Sequence, residues 1–336
     1  MKLSQFKTFS EENRDRELDE KDSIAVIGMD CAIGPEETLY GFWESLKNQT
    51  DFIARPDHKR EKMIRDILRL LGEESANAAA IQPMCFLRNL DTFDYLFFGM
   101  SEREAILTDP SQRLLLESAY RCMEDSNQIP GYYSGKNIGI FIGYDDSDLI
   151  RYKDILYRSS AELYGLSIPG NHPAILAGRI ADYFDLKGPA YVINTACSSS
   201  LSALHQACQA IRHGECDMAL VSTINISLTP VKLGNFTLGI EATKDRTKTF
   251  SDQADGTGKG EGLVSLLLKP YRRAVDDADA IYAIIQGSAV GQDGKASSLT
   301  SPNMLAQVEV LQNAWKDAGI HPRDLQYIEA HGTGTK

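Results

Sequence analysis

Apolar residues recur along this chain with two different periods, and the switch from one to the other predicts its elements. Short β-branched runs mark strands at Ser23–Gly28, Asn137–Tyr144, Tyr191–Ile193, Met218–Ile226 and Leu263–Leu268. Helical spacing fills the intervals. Thr38–Lys47 lines up Leu39, Phe42, Trp43 and Leu46 on one face, and Pro110–Asp125 spaces Leu114, Leu115, Ala119 and Met123 for burial. Glu61–Leu71, Pro173–Phe184 and Asn303–Ala318 read as further helices, and Ile281–Val290 and Leu325–His331 as further strands. Alternating strands and helices argue an α/β fold with largely parallel sheets. The order of strands and helices restarts near residue 281, although no repeat is legible in the residues.

One junction in this pattern carries chemistry. The run Tyr191–Ile193 reads as a buried strand and turns through small residues into Ser198–His213, a segment without Gly or Pro. Leu201, Leu204, Ala207, Cys208 and Ile211 repeat there at helical spacing, with Ala203 and Ala210 extending the apolar surface. The pattern predicts a helix buried on most sides and ended by His213-Gly214. Cys197 then stands at a strand-to-helix elbow, where free N–H groups and the helix dipole favour a thiolate. The same amides can hold a developing oxyanion. A buried structural cysteine is the competing reading. Ala196, Ser198, Ser199 and Ser200 argue against it, because small neighbours leave a substrate room to approach.

Bulk properties narrow the partners. A chain of 336 residues, 43% hydrophobic, can bury a sizeable core. The net charge of −12 argues against nucleic acid or an anionic membrane as a partner. Six cysteines occur without CxxC pairs or metal spacing, no signal peptide precedes Ser23, and no apolar run approaches a membrane span. The expectation is a reduced, cytoplasmic protein. Residues 1–22 are dominated by the charged run Glu11–Asp22, which suits a disordered lead-in or a docking and linker element. The glycine-rich Gly256–Gly262 fails as a phosphate loop, because its spacing is wrong and a strand-like run follows it.

The stretch Asn194-Thr-Ala-Cys197-Ser-Ser-Ser-Leu201 resembles the active-site signature of β-ketoacyl synthases, specifically the ketosynthase domains of modular polyketide synthases. Further stretches resemble the same family in the same order: Phe93–Gly99, Asp109–Glu117, Gly178–Ile180 with Leu186–Pro189, Gly214–Ala219 and Glu329–Thr335. The resemblance runs from about Ser23 to the last residue. The region 55–85 lacks the long tyrosine- and glycine-rich loop of many modular synthases, and so looks more like ketosynthases whose acyltransferase acts in trans.

The resemblance implies a thiolase-like layered fold (α-β-α-β-α), with a complete first half over 23–280 and an incomplete second half over 281–336, preceded by the lead-in 1–22. It implies that Cys197 accepts an acyl group from an acyl carrier protein. A malonyl-type extender on a second carrier would then lose carbon dioxide and attack the acyl-cysteine. His331 matches one of two catalytic histidines, and Thr333 and Thr335 match contacts to the phosphopantetheine arm. No resident cofactor is implied, since the substrate arrives on that arm. The second histidine, a lysine and a glycine-rich oxyanion loop are expected after residue 336. A homodimer is expected, and a separate polypeptide is one source for the remaining C-terminal part. Two other readings stay open: a non-catalytic docking or structural half-domain, and a remnant that only transacylates.

Overall fold

The computed structural model describes residues 23–73, 80–145, 147–231, 242, 245–298 and 301–335. Residues 1–22, and with them the expected lead-in, lie outside the described residues. Among the described residues there are six strands: β1 (Ile24–Ile33), β2 (Ile138–Tyr144), β3 (Ala190–Ile193), β4 (Met218–Asn225), β5 (Gly262–Pro270) and β6 (Ala283–Ile285). Before β2 come α1 (Leu39–Lys47), α2 (His58–Leu70), α3 (Glu102–Leu107) and α4 (Pro110–Asp125). Then follow α5 (Ser147–Ser159), α6 (Ala161–Leu166), α7 (Pro173–Phe184), α8 (Ser199–Arg212), α9 (Tyr271–Asp276) and α10 (Met304–Ala318).

The strands form one sheet in the order β3-β2-β4-β5-β1-β6. Its pleat sorts side chains between two helix layers. Ala25 and Ile27, Ile138, Ile140 and Ile142, Leu220 and Leu267 face the core shared with α4 and α7. Ile24 and Val26, Phe141, Ala219, Val221 and Leu268 face the opposite way, onto α8. Helices thus cover both faces, as an α/β architecture requires.

Several expectations are corrected by this arrangement. The sheet is mixed rather than largely parallel: β2 pairs in parallel with β3 and β4, whereas β1–β5, β1–β6 and β4–β5 are antiparallel. Antiparallel neighbours need no crossover helix, and no described helix lies between β4 and β5. β3 forms where expected but is half-exposed, because among the described residues it is the edge strand, paired with β2 alone. The strand expected over 281–290 shrinks to β6 and joins β1 in the first sheet. Residues 325–331 form no strand, and α10 buries none of its side chains. His58 opens α2, whose cap Asp57 accepts the Arg60 N–H at 2.7 Å. On α1, Trp43 and Leu46 are exposed, and Ser45 is the residue of that helix that is buried. No described helix is long and apolar enough to cross a membrane.

The motifs singled out in the sequence are joints in this frame. Asp109 is fully buried and caps α4 by accepting the Ser111 N–H at 2.7 Å, with Pro110 in the first turn. Three positions after Asp109, Gln112 accepts from Arg179 of α7 at 2.9 Å, and Arg179 also reaches Glu104 at 3.0 Å. Two motifs far apart in sequence therefore meet across α4 and α7. Phe98 is the hub of an aromatic cluster with Phe93, Phe97, Tyr120 and Tyr183.

Candidate active site

Where β3 ends, the chain makes a tight elbow before α8. Asn194 Oδ1 accepts the Ala196 N–H at 3.1 Å, and Ala196 sits in the left-handed region at φ 55°. That backbone costs a non-glycine residue roughly 1–2 kcal/mol, so the surrounding structure has to enforce it. Ser199 supplies much of the enforcement. Buried beneath the turn, its hydroxyl accepts the Thr195 N–H at 2.8 Å and donates to the Ala196 carbonyl at 2.7 Å. Ser198 donates to the Thr195 carbonyl at 2.8 Å, and Thr195 and Ser202 share a hydroxyl contact at 3.1 Å. The serines beside Cys197 thus fold the turn as well as keeping it uncrowded. Ser198 is the N-cap residue of α8 but makes no side-chain capping bond, since its hydroxyl is turned back to Thr195.

The floor of the elbow is Gly143 at the end of β2. A Cβ there would lie 2.8 Å from the backbone of Ser199 and Ser200. Only glycine lets the first turn of α8 approach the strand so closely. Beyond that turn, Ala203, Ala207, Cys208, Ala210 and Ile211 bury against the sheet. The opposite face of α8 is open: Leu201 is 70% exposed and Leu204 half-buried, so the helix is covered on one side only.

Cys197 is exposed, whereas the other five cysteines are buried. Burial pushes the thiols of Cys31, Cys85, Cys208 and Cys216 up to about 11, and that of Cys122 well above its ordinary value. A buried thiol of that kind is an inert one.

His331 lies on an exposed stretch held by a different device. Gly332 and Gly334 take φ values of 54° and 65°, and their carbonyls and that of Thr333 are gripped by the loop before β5. Thr249 donates its hydroxyl to the Gly332 carbonyl at 2.6 Å, Thr257 to the Thr333 carbonyl at 2.6 Å, and the Gly256 N–H to the Gly334 carbonyl at 2.9 Å. The glycine-rich segment that failed as a phosphate loop is part of this seat. Thr333 and Thr335 face each other with hydroxyls 3.0 Å apart. Thr335 is exposed and Thr333 half-buried.

The structure brings His331, Thr333 and Thr335 onto one loop and puts Cys197 on another element. Among the described residues, no hydrogen bond links Cys197 to His331. The remaining histidines are occupied in the frame. His172 caps α7, accepting the Ala174 N–H at 3.2 Å, and His321 caps a short 3-10 turn by accepting from Arg323 at 3.1 Å. His213 is the C-cap of α8. His205 shares a 2.8 Å hydrogen bond with Ser288, and burial lowers its proton affinity below the usual imidazole range.

Thr249, Thr257 and Gly143 were not singled out in the sequence, and Ser199 was picked out only as a small neighbour of Cys197. Glycine on both flanks of the β2 run was the one legible signal, and it pointed to Gly143.

Comparison with known proteins fits this geometry. Residues 21–274 match the family profile described as "Beta-ketoacyl synthase, N-terminal domain", and residues 282–336 match its C-terminal domain. Polyketide synthase ThaG of Burkholderia thailandensis is 38% identical over 317 residues, covering 94% of this chain and 6% of that protein. Polyketide synthase PksN of Bacillus subtilis is 36% identical over 316 residues, covering 93% of this chain and 6% of that protein. Among solved structures, the ketosynthase from module 6 of the bacillaene synthase of Bacillus subtilis superposes with a TM-score of 0.78 at 32% identity. That match covers 93% of this chain and 51% of the solved one. The oxazolomycin ketosynthase domain OzmH KS7 of Streptomyces albus gives a TM-score of 0.78 at 30% identity, covering 93% and 55%.

The chain belongs to the β-ketoacyl synthase family, with the thiolase-like ketosynthase fold. Within that family it is similar to the ketosynthases of polyketide synthases, and it spans about half the length of the two solved ketosynthases and 6% of the two curated synthases named above.

Proposed function

We propose that the chain is the Cys197-bearing part of a polyketide assembly-line ketosynthase, organised as a lead-in over 1–22, a first half over 23–280 and the start of a second half over 281–336. An acyl carrier protein delivers an acyl thioester on its phosphopantetheine arm. The Cys197 sulfur attacks the carbonyl, the carrier thiol leaves, and the acyl group rests on Cys197. In the second step a malonyl-type thioester on a carrier loses carbon dioxide. The resulting carbanion attacks the acyl-cysteine carbonyl, the Cys197 sulfur leaves, and the carrier holds a β-ketoacyl chain. His331 serves this second step by donating to the enolate oxygen, and Thr333 and Thr335 hold the pantetheine arm. The second step also draws on a second histidine and a lysine that the family places after residue 336.

The observation that carries this reading is the elbow. One cysteine of six is exposed, and it occupies a turn strained at Ala196 and clamped by Ser199. Strain held at an exposed nucleophile fits a catalytic position. The uncovered edge of β3 and the apolar residues exposed near it, Tyr191 among them, support a dimer built across that edge. The shortened region 55–85 supports the subgroup whose acyltransferase acts in trans.

The test is to incubate the protein with a butyryl thioester of N-acetylcysteamine and map the mass increase by tryptic digestion. The expected result is one butyryl group on the peptide containing Cys197. A butyryl group on any of the five buried cysteines, or none on a folded chain, defeats the proposal.

A further inference from the structure

Away from the elbow, a cleft of about 230 Å³ opens between α2 and the segment before α3. Its floor is apolar, with Phe52, Met63, Met84 and Phe86. Its rim is not. Arg55, Lys59 and Arg88 stand around the mouth, and the buried Arg60 lies at the base with its guanidinium 5.6 Å from the centre of the Phe86 ring. Lys59 is matched by Asp91 at 2.9 Å, and Arg60 pairs with the buried Glu261. Among the described residues, Arg55 and Arg88 enter no ion pair. Two exposed, unmatched guanidiniums beside an apolar floor are unusual on a chain of net charge −12.

The walls of this cleft are tied to the loop that seats Thr333. Arg246, at the start of that loop, donates to Asp51 at 2.6 Å and to the Ile53 carbonyl at 3.0 Å. At the loop's other end, the Cys85 N–H donates to the Lys259 carbonyl at 3.2 Å, and the Glu261 N–H to the Cys85 carbonyl at 2.7 Å. Whatever docks in the cleft is therefore one loop away from the threonine pair.

We propose that this cleft is a docking surface for the acyl carrier protein. The carrier presents an acidic helix, seats one large apolar side chain against Phe52, Met63 and Phe86, and sets flanking carboxylates on Arg55 and Arg88. Methionines suit such a floor because their unbranched side chains adapt to the guest. The rim arginines supply steering and register, and the apolar floor supplies the contact area. This inference rests on the reading of the chain as a ketosynthase, which supplies the carrier as partner.

The test uses a fluorescein-labelled apo acyl carrier protein from a polyketide synthase, followed by fluorescence anisotropy. The apo form has no pantetheine arm, so Cys197 takes no part, and failure of acylation leaves this measurement intact. Reversing both rim charges (Arg55→Glu with Arg88→Glu) is expected to weaken binding by about tenfold or more. Arg55→Ala with Arg88→Ala gives a smaller loss in the same direction. Raising salt from about 0.05 to about 0.5 M erases most of the difference between wild type and variant. Arg323→Glu, an exposed charge reversal elsewhere, leaves binding unchanged. Equal affinity in the wild type and the Arg55/Arg88 variants, or an equal loss in Arg323→Glu, overturns the proposal. So does a peptide of residues 1–22 binding the cleft when the carrier does not, which assigns it to the chain's own acidic segment.

Discussion

The Cys197 elbow and the His331 loop are held in place by opposite means. The elbow stands on a core: β2 and β3 beneath it, Gly143 in contact with its first helical turn, and the buried face of α8 behind it. The His331 loop stands on other loops, through three hydrogen bonds from Thr249, Gly256 and Thr257. Close packing of apolar side chains leaves the elbow one arrangement, because any shift opens voids or clashes. Three exchangeable hydrogen bonds to carbonyls are worth roughly 1 kcal/mol each and define a position less tightly. A nucleophile built on packing and a histidine built on hydrogen bonds can be perturbed separately.

The largest expected effect falls where the seating loop is anchored in the interior. Glu261 ends the seating loop inside the core, paired with Arg60 and accepting the N–H groups of Leu87 and Ser227, each at 2.9 Å. Arg60→Met strips the guanidinium from a buried carboxylate, and the expected loss is about 3–5 kcal/mol in urea denaturation. Next comes Gly143→Ala. The added methyl meets the backbone of Ser199, so about 1–3 kcal/mol is lost and butyryl transfer to Cys197 slows by about tenfold. Equal transfer rates in Gly143→Ala and wild type would break the claim that packing sets the elbow.

Smaller effects belong to the loop. Thr249→Val and Thr257→Val each cost about 1 kcal/mol, read locally as faster amide exchange across Gly332–Thr335 with an unchanged rate at Cys197. The smallest is a pH effect at His205, whose neutral form is favoured by burial, with Asp317 opposing and Arg212 reinforcing that shift. The folded chain binds fewer protons there than the unfolded one. Its contribution is intact above the ordinary value of 6.5 and is lost as pH falls through the lower native value. His205→Gln should remove that part of the slope in thermal melts between neutral and mildly acid pH. A slope identical to wild type would show that His205 does not carry it.

Much of the frame was legible because the core dictates it. β2, β4, α4 and α7 fall within about a residue of their expected ranges, since their apolar periods are read by a sheet and a helix layer. What periodicity could not show was sheet position. Tyr191–Ile193 has a strand pattern whether it lies in the middle of a sheet or at its edge, and only the strand order reveals β3 as an edge. The apolar run Leu325–Ile328 looked like a strand, yet no neighbouring strand pairs with it among the described residues. A run of that kind needs a partner to become a strand. At the site, Cys197 could be found from small residues between a strand and a helix. Thr249 and Thr257 could not, because a threonine that grips a distant carbonyl looks like any other polar loop residue.

The measurement that tests the account most directly is intact-protein mass after exposure to a butyryl thioester, run in parallel on wild type, Cys197→Ala and His331→Ala. The predicted result is one butyryl group on wild type and on His331→Ala, at similar rates, and none on Cys197→Ala. An adduct that survives in Cys197→Ala, or disappears in His331→Ala while that chain stays folded, would contradict an acyl-accepting elbow that stands independently of the histidine loop.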